Sequence, residues 1–378
     1  MVTGFPYYPL WKKRKEDQRK LFQRESFKNI DVLRGYLYVP GGKLSAIRRL
    51  IHELSFCFFA AINFVRIGRP DAIVIFTPPF FLGLVAIFFK WIWRVPLVIN
   101  VQDLPLDAAV ALGMLKPGYL TGLLQRLENW IYRQADLVCS ISPTMNENIR
   151  KKGVHSDKLK LVPNWIDVRM AEVAAQKGGF IKQHSDLADK FLVAYAGNIG
   201  MKQGIDVLLR VAKRIEATPD VHFLIIGEGS DKQHLMEIAK DLKLTNVTFL
   251  PFMNHVQYQT MLSDVDVVFV AQRSGAGNNF FPSKLLGLMA RSKALLVAAD
   301  ADSELASVIR SSDCGLVCSY DDIDEIAKNV EKMKALGSKI TEVGERGRQA
   351  ATAFDRDNIL CDWRSSILDL LRKHTLAG

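Results

Sequence analysis

Short runs of apolar, mostly β-branched residues alternate with helical segments along most of this chain. Runs such as residues 97–101 and 265–270 are apolar at all but one position, which is typical of parallel strands buried on both faces. Each run leads into a polar or small-residue loop and then into a segment with apolar residues at helical spacing. This order of elements predicts an α/β protein whose parallel sheets are doubly wound with helices.

The alternation occurs as two series, which a weakly patterned segment separates. We predict two Rossmann-like domains that face a cleft, with the carboxyl ends of their strands toward it, where α/β proteins place their chemistry. The amphipathic helix at the end of the chain is expected to pack back on the first domain. The predicted divisions are a first domain at 1–165, a linker at 166–190, a second domain at 191–354 and the returning helix at 355–378.

The net charge and the cysteines indicate which binding partners and which environment to expect. The net charge of +10 favours an acidic partner such as nucleic acid, anionic lipid or a phosphorylated substrate. The cysteines are scattered without metal-ligand spacing, so we expect no metal site and a reducing, cytoplasmic environment. They are Cys57, Cys139, Cys314, Cys318 and Cys361.

Two apolar stretches and one basic segment bear on membranes. Residues 54–67 and 80–93 are shorter than the ~20 residues that a membrane span needs, so we predict buried or interfacial helices. Residues 12–28 hold eight lysines and arginines. These fit either a solvated loop and strand edge or a peripheral contact with anionic membrane lipid. No RNA-binding signature accompanies them, so nucleic acid is not expected as a partner.

The loop and helix after the strand at 265–270 form a candidate anion site. A small-residue loop at 274–279 precedes a helix opened by Pro282 and Ser283. Lys284 lies in the first turn of this helix, where a cation opposes the helix dipole. Its position is explained if an anion such as a diphosphate binds there. A surface lysine beside an ordinary strand–helix turn is the alternative.

Two glycine-rich loops follow neighbouring strands of the second series. The first contains Gly197, Asn198, Gly200, Lys202, Gln203 and Gly204, and the second contains Gly227. Glycine lets a backbone approach a ligand closely and turn sharply into a helix. The spacing does not match the dinucleotide fingerprint, so each loop alone fits a tight turn equally well. Together with Lys284, the loops favour a nucleotide diphosphate over inorganic phosphate.

The loop GNIGMKQG, the turn IIGEGS, the linker VPNW and the helix PSKLLGLMA resemble glycosyltransferase family 4. In the first half, TGFPYYPLW, LYVP, HELSF and VQDLPLDAAVALGML are similar to bacterial exopolysaccharide enzymes of the colanic-acid type, which include fucosyltransferases. The resemblance implies a GT-B fold and retaining transfer from a GDP- or UDP-linked sugar donor, without a cofactor. It also implies a first domain lacking the family's opening strand, glycine-rich loop and helix.

The chain departs from the family's pattern at the donor site. The E-x7-E motif of many members falls on Asn279 and Gly287, and the usual basic pair falls on Asn198 and Gln203. Lys284, with Lys202 or Arg273, would then supply the positive charge beside the diphosphate.

The candidate site residues divide between the two halves. Lys284 and the backbone of residues 197–204 are expected to stabilise the departing diphosphate, with Ser283 and Gly227 beside them. Glu304 is expected to reach the sugar or ribose, although a glutamate early in a helix is also ordinary. Across the cleft, Asp103 is predicted to orient or deprotonate the acceptor hydroxyl, or else to cap a helix. Further acceptor-side candidates are Gln102 and Asp107.

The expected function is sugar transfer to a saccharide linked to polyprenyl diphosphate, in exopolysaccharide, capsule or O-antigen synthesis. The expected place is the inner face of the cytoplasmic membrane, by peripheral contact. Two alternatives stay open: a catalytically impaired GT-B paralogue or partner subunit that binds nucleotide without transfer, and a nucleotide-sugar epimerase.

Overall fold

In the computed structural model, the first half of the chain carries two sheets. The structure describes residues 1–7, 11–41, 45–111, 113, 115–116, 118–171, 178–200, 203–274 and 284–377. A three-stranded sheet has the order β1-β3-β2, with β1 parallel and β2 antiparallel to β3. Its strands are β1 (Val2–Gly4), β2 (Phe22–Phe27) and β3 (Ile30–Gly35).

A four-stranded parallel sheet of order β4-β5-β6-β7 forms the rest of the first half. Its strands are β4 (Ile73–Thr77), β5 (Leu97–Val101), β6 (Leu137–Ser140) and β7 (Leu159–Leu161). Buried residues of β4, β5 and β6 pack against helices to form the core of this half. The helices are α1 (Ala46–Ile67), α2 (Leu82–Trp93), α3 (Pro105–Ala111), α4 (Tyr119–Gln134) and α5 (Pro143–Lys151).

The second half is built on a six-stranded parallel sheet of order β10-β9-β8-β11-β12-β13. Its strands are β8 (Phe191–Ala196), β9 (Val221–Ile226), β10 (Val247–Leu250), β11 (Val267–Ala271), β12 (Ala294–Ala298) and β13 (Gly315–Cys318). A short helix, α6 (Val168–Ala171), precedes this sheet. The other helices are α7 (Asp206–Arg214), α8 (Lys232–Asp241), α9 (His255–Asp264), α10 (Lys284–Met289), α11 (Glu304–Ser312), α12 (Ile323–Ala335) and α13 (Ile340–Ala351). Separate apolar clusters cover the two faces of the sheet.

The last helix, α14 (Arg356–Ala377), packs against the sheet of the first half. Its Trp363 is buried in a cluster with Val98, Cys139 and Val162. Near its start, the Arg356 guanidinium lies 2.7 Å from the Asp167 carboxylate. The chain therefore passes into the second half and returns to the first.

The predicted α/β class with parallel sheets is confirmed. The run predicted at 97–101 is β5, and the run predicted at 265–270 corresponds to β11, which begins two residues later. The antiparallel pair β2–β3 was not predicted as such, because its residues do not alternate between apolar and polar. Polar pairs accompany it instead: Arg24 lies 2.8 Å from Asp31, and Arg34 also pairs with Glu25.

Candidate functional site

The strand order of the second half defines where its ligand crevice lies. Strands β8, β9 and β10 follow one another outward on one side, whereas β11, β12 and β13 extend from β8 on the other. The order reverses between β8 and β11, and ligands of open α/β sheets bind outside the carboxyl ends of the strands at such a switch point. The loop after β8 begins at Gly197, and the chain after β11 leads to Lys284. Both predicted features therefore belong to this crevice.

The glycine loops after β8 and β9 are locked to each other by backbone contacts. The Gly197 N–H donates to the Ile226 carbonyl at 3.0 Å, and the Ile199 N–H donates to the Glu228 carbonyl at 2.9 Å. Gly227 has a φ of +140°, and a Cβ there would lie 1.9 Å from the Gly197 carbonyl oxygen. Glycine is thus required at position 227 by the close approach of the neighbouring loop. Gly227 therefore packs against the first glycine loop at Gly197.

The exposed surface of this site is the first glycine loop. Gly197 and Asn198 are exposed. The next residue, Ile199, is buried and anchors the loop in the core. Farther along, the Gln203 Oε1 is buried without a hydrogen-bond partner among the described residues. Gly204 has a φ of +61° and lies against the Tyr320 ring. The loop thus exposes Gly197 and Asn198 to solvent.

Lys284 lies at the carboxyl end of β8. Its Nζ is 3.4 Å from the Ala196 carbonyl oxygen and 3.8 Å from the centroid of the Tyr195 ring. It forms no ion pair with any carboxylate of the described residues. Desolvation lowers the pKa of its ammonium group to about 7. An anion at this position would restore the charge. Ser283, Lys202 and Asn279 lie outside the described residues, as does most of the loop at 274–279.

Arg273, the other predicted cation, already has partners. Its guanidinium lies 3.0 Å from the Asp206 carboxylate, which also accepts a hydrogen bond from the Tyr320 hydroxyl at 3.0 Å. These contacts raise the pKa of Arg273 despite its desolvation. They fasten the chain after β11 to the start of α7. Arg273 is therefore paired with a carboxylate, whereas Lys284 has no carboxylate partner among the described residues.

The acceptor-side candidates follow β5 in the first half. The Gln102 N–H donates to the Thr77 carbonyl at 2.9 Å, and the Gln102 side chain bonds the buried Asn100 at 2.6 Å. Asp103 is partly exposed in the loop before α3. Gln102 is thus held by the sheet edge, next to Asp103.

Asp107, the third acceptor-side candidate, takes part in an ion-pair network. Its carboxylate lies 2.9 Å from the Lys152 ammonium, which also lies 2.7 Å from Glu128. Glu128 is 1% exposed, so the network is largely buried. Asp107 thereby joins α3 to α4 and α5.

Glu304 connects the two halves. It opens α11, where Ser303 is the N-cap, and its Oε2 accepts a hydrogen bond from the Thr144 hydroxyl at 3.3 Å. Thr144 lies in the first turn of α5, so the starts of two helices from different halves meet here. Desolvation raises the pKa of Glu304.

Two residues at the site were missed by the sequence analysis. Tyr195 is buried under Lys284 and donates from its hydroxyl to the Asn198 carbonyl at 2.6 Å, so it supports both the cation and the loop. Thr144 meets Glu304 across the cleft. A single aromatic residue in an apolar strand looks like core, and a threonine after a helix-starting proline looks like capping. The sequence pattern gave no hint of either contact.

Comparison with known proteins agrees with this geometry. The family model described as "Glycosyl transferase 4-like domain" matches residues 22–165, and the model "Glycosyl transferases group 1" matches residues 179–350. The fold and the switch-point crevice define a GT-B protein. The chain belongs to glycosyltransferase family 4, and it is a glycosyltransferase.

Individual relatives support the same class. WcaI of Escherichia coli strain K12, assigned as a colanic acid biosynthesis glycosyl transferase, is 28% identical over 95% of this chain and 89% of its own length. Sucrose-phosphate synthase from Thermosynechococcus elongatus has a TM-score of 0.75 at 16% identity and covers 96% of this chain and 87% of that one. Anabaena HepE, in a structure with UDP, has a TM-score of 0.67 at 16% identity, with coverages of 85% and 84%. These two structures show that the fold is shared.

In the part of the chain that the structure describes, metal ligands are not gathered at the site. Among the described residues, no group of three or more His, Cys, Asp or Glu side chains is placed to hold an ion. In the described part of the site, Lys284 offers a positive charge that no carboxylate pairs, whereas Arg273 is paired with Asp206.

Proposed function

We propose that this glycosyltransferase takes its sugar from a nucleotide-sugar donor whose diphosphate lies between Lys284 and the loop at Gly197. The observation that carries the proposal is the position of Lys284. Its ammonium group lies at the sheet's switch point, 3.4 Å from the Ala196 carbonyl oxygen and without a carboxylate partner among the described residues. A desolvated cation beside exposed glycine backbone is suited to bind a diphosphate.

We propose that the Lys284 ammonium group also acts in the reaction. Cleavage of the bond between the sugar and the diphosphate leaves negative charge on the diphosphate and positive character on the sugar. A cation fixed beside the diphosphate stabilises this separation more than it stabilises the bound donor, and so lowers the barrier. Asp103, across the cleft, is proposed to orient the acceptor hydroxyl or to accept its proton. Retention of configuration is proposed from the family resemblance.

The proposed donor carries UDP or GDP. The UDP in the HepE structure supports UDP as a first ligand to test. The fucosyltransferases among the similar exopolysaccharide enzymes support GDP as the second, since the resemblance implies either nucleotide.

The proposed acceptor is a saccharide linked to polyprenyl diphosphate, and the proposed place is the inner face of the cytoplasmic membrane. The relationship to a protein of colanic acid biosynthesis supports an exopolysaccharide product. The net charge of +10 is consistent with a membrane surface that contains anionic lipid.

The test is to compare diphosphate and nucleoside binding after a change at Lys284. Lys284→Ala removes a charge-assisted contact worth ~1.5–3 kcal/mol. By calorimetry, we expect UDP or GDP to bind roughly 10- to 150-fold more weakly, while uridine or guanosine binds as before. Lys284→Arg should recover part of the affinity because the charge is kept.

Lys293→Ala is the matched control, since Lys293 also donates to a strand-end carbonyl, that of Val265 at 3.1 Å, but at the opposite end of the sheet. It should leave nucleotide binding unchanged. If Lys284→Ala weakened the binding of the nucleoside as much as that of UDP or GDP, Lys284 would not contact the diphosphate. Transfer itself is checked by donor-dependent labelling of lipid-linked saccharides, which Lys284→Ala should slow.

A further inference from the structure

Three helices of the first half present apolar side chains to solvent. Helix α1 packs against α2, and α2 packs against α4, so the three lie side by side. The "apolar face" is defined by their exposed large side chains, each at least 44% exposed. These are Ile47, Leu50, Ile51, Leu54, Phe58 and Val65 of α1, Phe88, Trp91 and Ile92 of α2, and Tyr119, Leu120 and Leu123 of α4.

On α1, the exposed side chains form one continuous stripe. Ile47, Ile51, Leu54, Phe58 and Val65 recur at helical spacing, so they share a side of the helix for about 27 Å at ~1.5 Å per residue. The opposite side of α1 is buried in the core through residues such as Cys57, Ala60 and Phe64. Within the described residues, α1 is long and apolar enough to cross a membrane by length and composition alone. Its buried side instead fastens it to the first half.

The exposed charged residues of these three helices are all basic. Helices α1, α2 and α4 contain two acidic residues, Glu53 and Glu128. Glu53 is partly buried, and Glu128 is buried against Lys152. Five arginines on these helices are exposed: Arg48, Arg49, Arg66, Arg126 and Arg133. Because the described residues of these three helices include exposed arginines but no exposed carboxylate, the helices together complement an anionic lipid surface.

The basic segment at 12–28 is less suited to this contact, because acidic residues accompany its charges. Arg14 lies 3.7 Å from Glu16, Lys20 lies 3.4 Å from Asp17, and Arg24 lies 2.8 Å from Asp31.

We propose that the apolar face docks on an anionic phospholipid bilayer, with its aromatic and aliphatic side chains in the interface and its arginines on the headgroups. Trp91 and Tyr119 have the amphipathic rings that are enriched at the headgroup level of membranes. This docking rests on the proposed lipid-linked acceptor and would hold the first domain, on which that acceptor is proposed to bind, at the bilayer.

The test is flotation of the full chain with vesicles of phosphatidylcholine, alone or with phosphatidylglycerol. We expect binding to the anionic vesicles, partly reversed by salt. Phe58→Glu with Trp91→Glu should lower the bound fraction at least tenfold. The matched control is Phe252→Glu, because Phe252 is 60% exposed in the second half. It should bind as the wild type does.

A second pair of variants separates the face from net charge. The first double variant is Arg49→Glu with Arg126→Glu, on the helices of the apolar face. The second is Lys15→Glu with Arg19→Glu, outside those helices, and it alters the net charge by the same amount. We expect the first pair to bind vesicles more weakly than the second. UDP and GDP binding by every variant confirms that it is folded. If vesicle binding depends on the face but no nucleotide binds, the donor proposal fails and the docking stands; circular dichroism then checks folding.

Three results would overturn the docking. The first is that the wild type does not bind anionic vesicles, or that the substitutions on the apolar face do not reduce its binding to them. Another is a concentration-dependent dimer that only the face variants abolish, without vesicle binding, since a second copy would then cover the face. The third is retention that only detergent reverses, which would mean that α1 is inserted across the bilayer.

Discussion

The Thr144 hydroxyl donates a hydrogen bond to Glu304 Oε2 at 3.3 Å, and the two residues are 160 positions apart. Thr144 belongs to the first half and Glu304 to the second, so this bond joins the halves at the cleft. The Glu304 carboxyl group is partly desolvated at this position, and desolvation raises its pKa. The contact is therefore sensitive to the charge of Glu304.

We predict that Glu304→Gln changes the free energy of unfolding more favourably at neutral pH than at pH 4. Because the pKa of Glu304 is raised in the folded state, folding binds a proton between the unfolded and folded pKa values, and stability falls as pH rises through that window. Glutamine keeps the acceptor oxygen for Thr144 without the charge. Urea unfolding at pH 4 to 8 should show the variant gaining on the wild type above the unfolded pKa of about 4.3.

A variant that loses stability at pH 7 would show that the charge of Glu304 is favourable in the folded protein. The proposed contact with the sugar or ribose is a separate matter. If it forms, Glu304→Gln should weaken binding of the nucleotide sugar or nucleotide, whereas Thr144→Val should weaken it less.

Diphosphate binding should depend on pH through Lys284. Its pKa of about 7 in the free protein means that it is partly neutral above pH 7. A bound diphosphate favours the ammonium form and raises the pKa, so binding takes up a proton above pH 7. We expect affinity to fall by up to about tenfold per pH unit above 7. Calorimetry in buffers of different ionisation enthalpy measures the uptake.

Lys284→Arg is the control for this pH dependence, since arginine stays charged throughout the range. Any titration of the ligand itself appears in both proteins and cancels in the comparison. Identical pH profiles would mean that Lys284 does not change its protonation when the diphosphate binds.

The sequence predicted the parts of this fold that repeat a pattern. Strand β8 and the glycines after it were predicted because a buried parallel strand and a tight turn each have a local signature. Contacts between distant residues have no such signature. The Gly197–Gly227 approach, the Tyr195–Lys284 pair and the Thr144–Glu304 bond depend on which strands and halves become neighbours.

The ion-pair network of Lys152 illustrates the same limit and gives a prediction. Lys152→Met should destabilise the first half by ~3–5 kcal/mol, because it leaves the Glu128 carboxylate buried without its partner. In the variant, Glu128 should bind a proton more tightly, so the loss should grow as pH rises. Denaturant unfolding at pH 5 and 8 measures this.

Asp107→Asn is the comparison for Lys152→Met, since it removes the more exposed member of the network and leaves the Lys152–Glu128 pair. We expect a smaller loss and unchanged nucleotide binding. Loss of acceptor transfer by Asp107→Asn without loss of stability would instead assign Asp107 to the acceptor.

The last prediction concerns the contact between the two glycine loops. Gly227→Ala should weaken both stability and UDP or GDP binding, because the new Cβ would lie 1.9 Å from the Gly197 carbonyl oxygen and the loops must separate. The φ of +140° at Gly227 also disfavours any side chain. We expect a loss of ~1–3 kcal/mol in unfolding free energy, as for overpacked sites. The affinity for diphosphate should fall because Gly197 moves relative to Lys284.

Gly287→Ala is the matched control within the same crevice. Gly287 is inside α10, and among the described residues a Cβ there would have one neighbour within 4 Å, the Arg291 guanidinium at 3.5 Å. Alanine favours a helix interior by roughly 0.5–1 kcal/mol over glycine, so this variant should be as stable as the wild type or more so. If Gly227→Ala kept full diphosphate affinity while losing stability, the loop at Gly197 would not contribute to the diphosphate site, and Lys284 would have to bind the diphosphate without it.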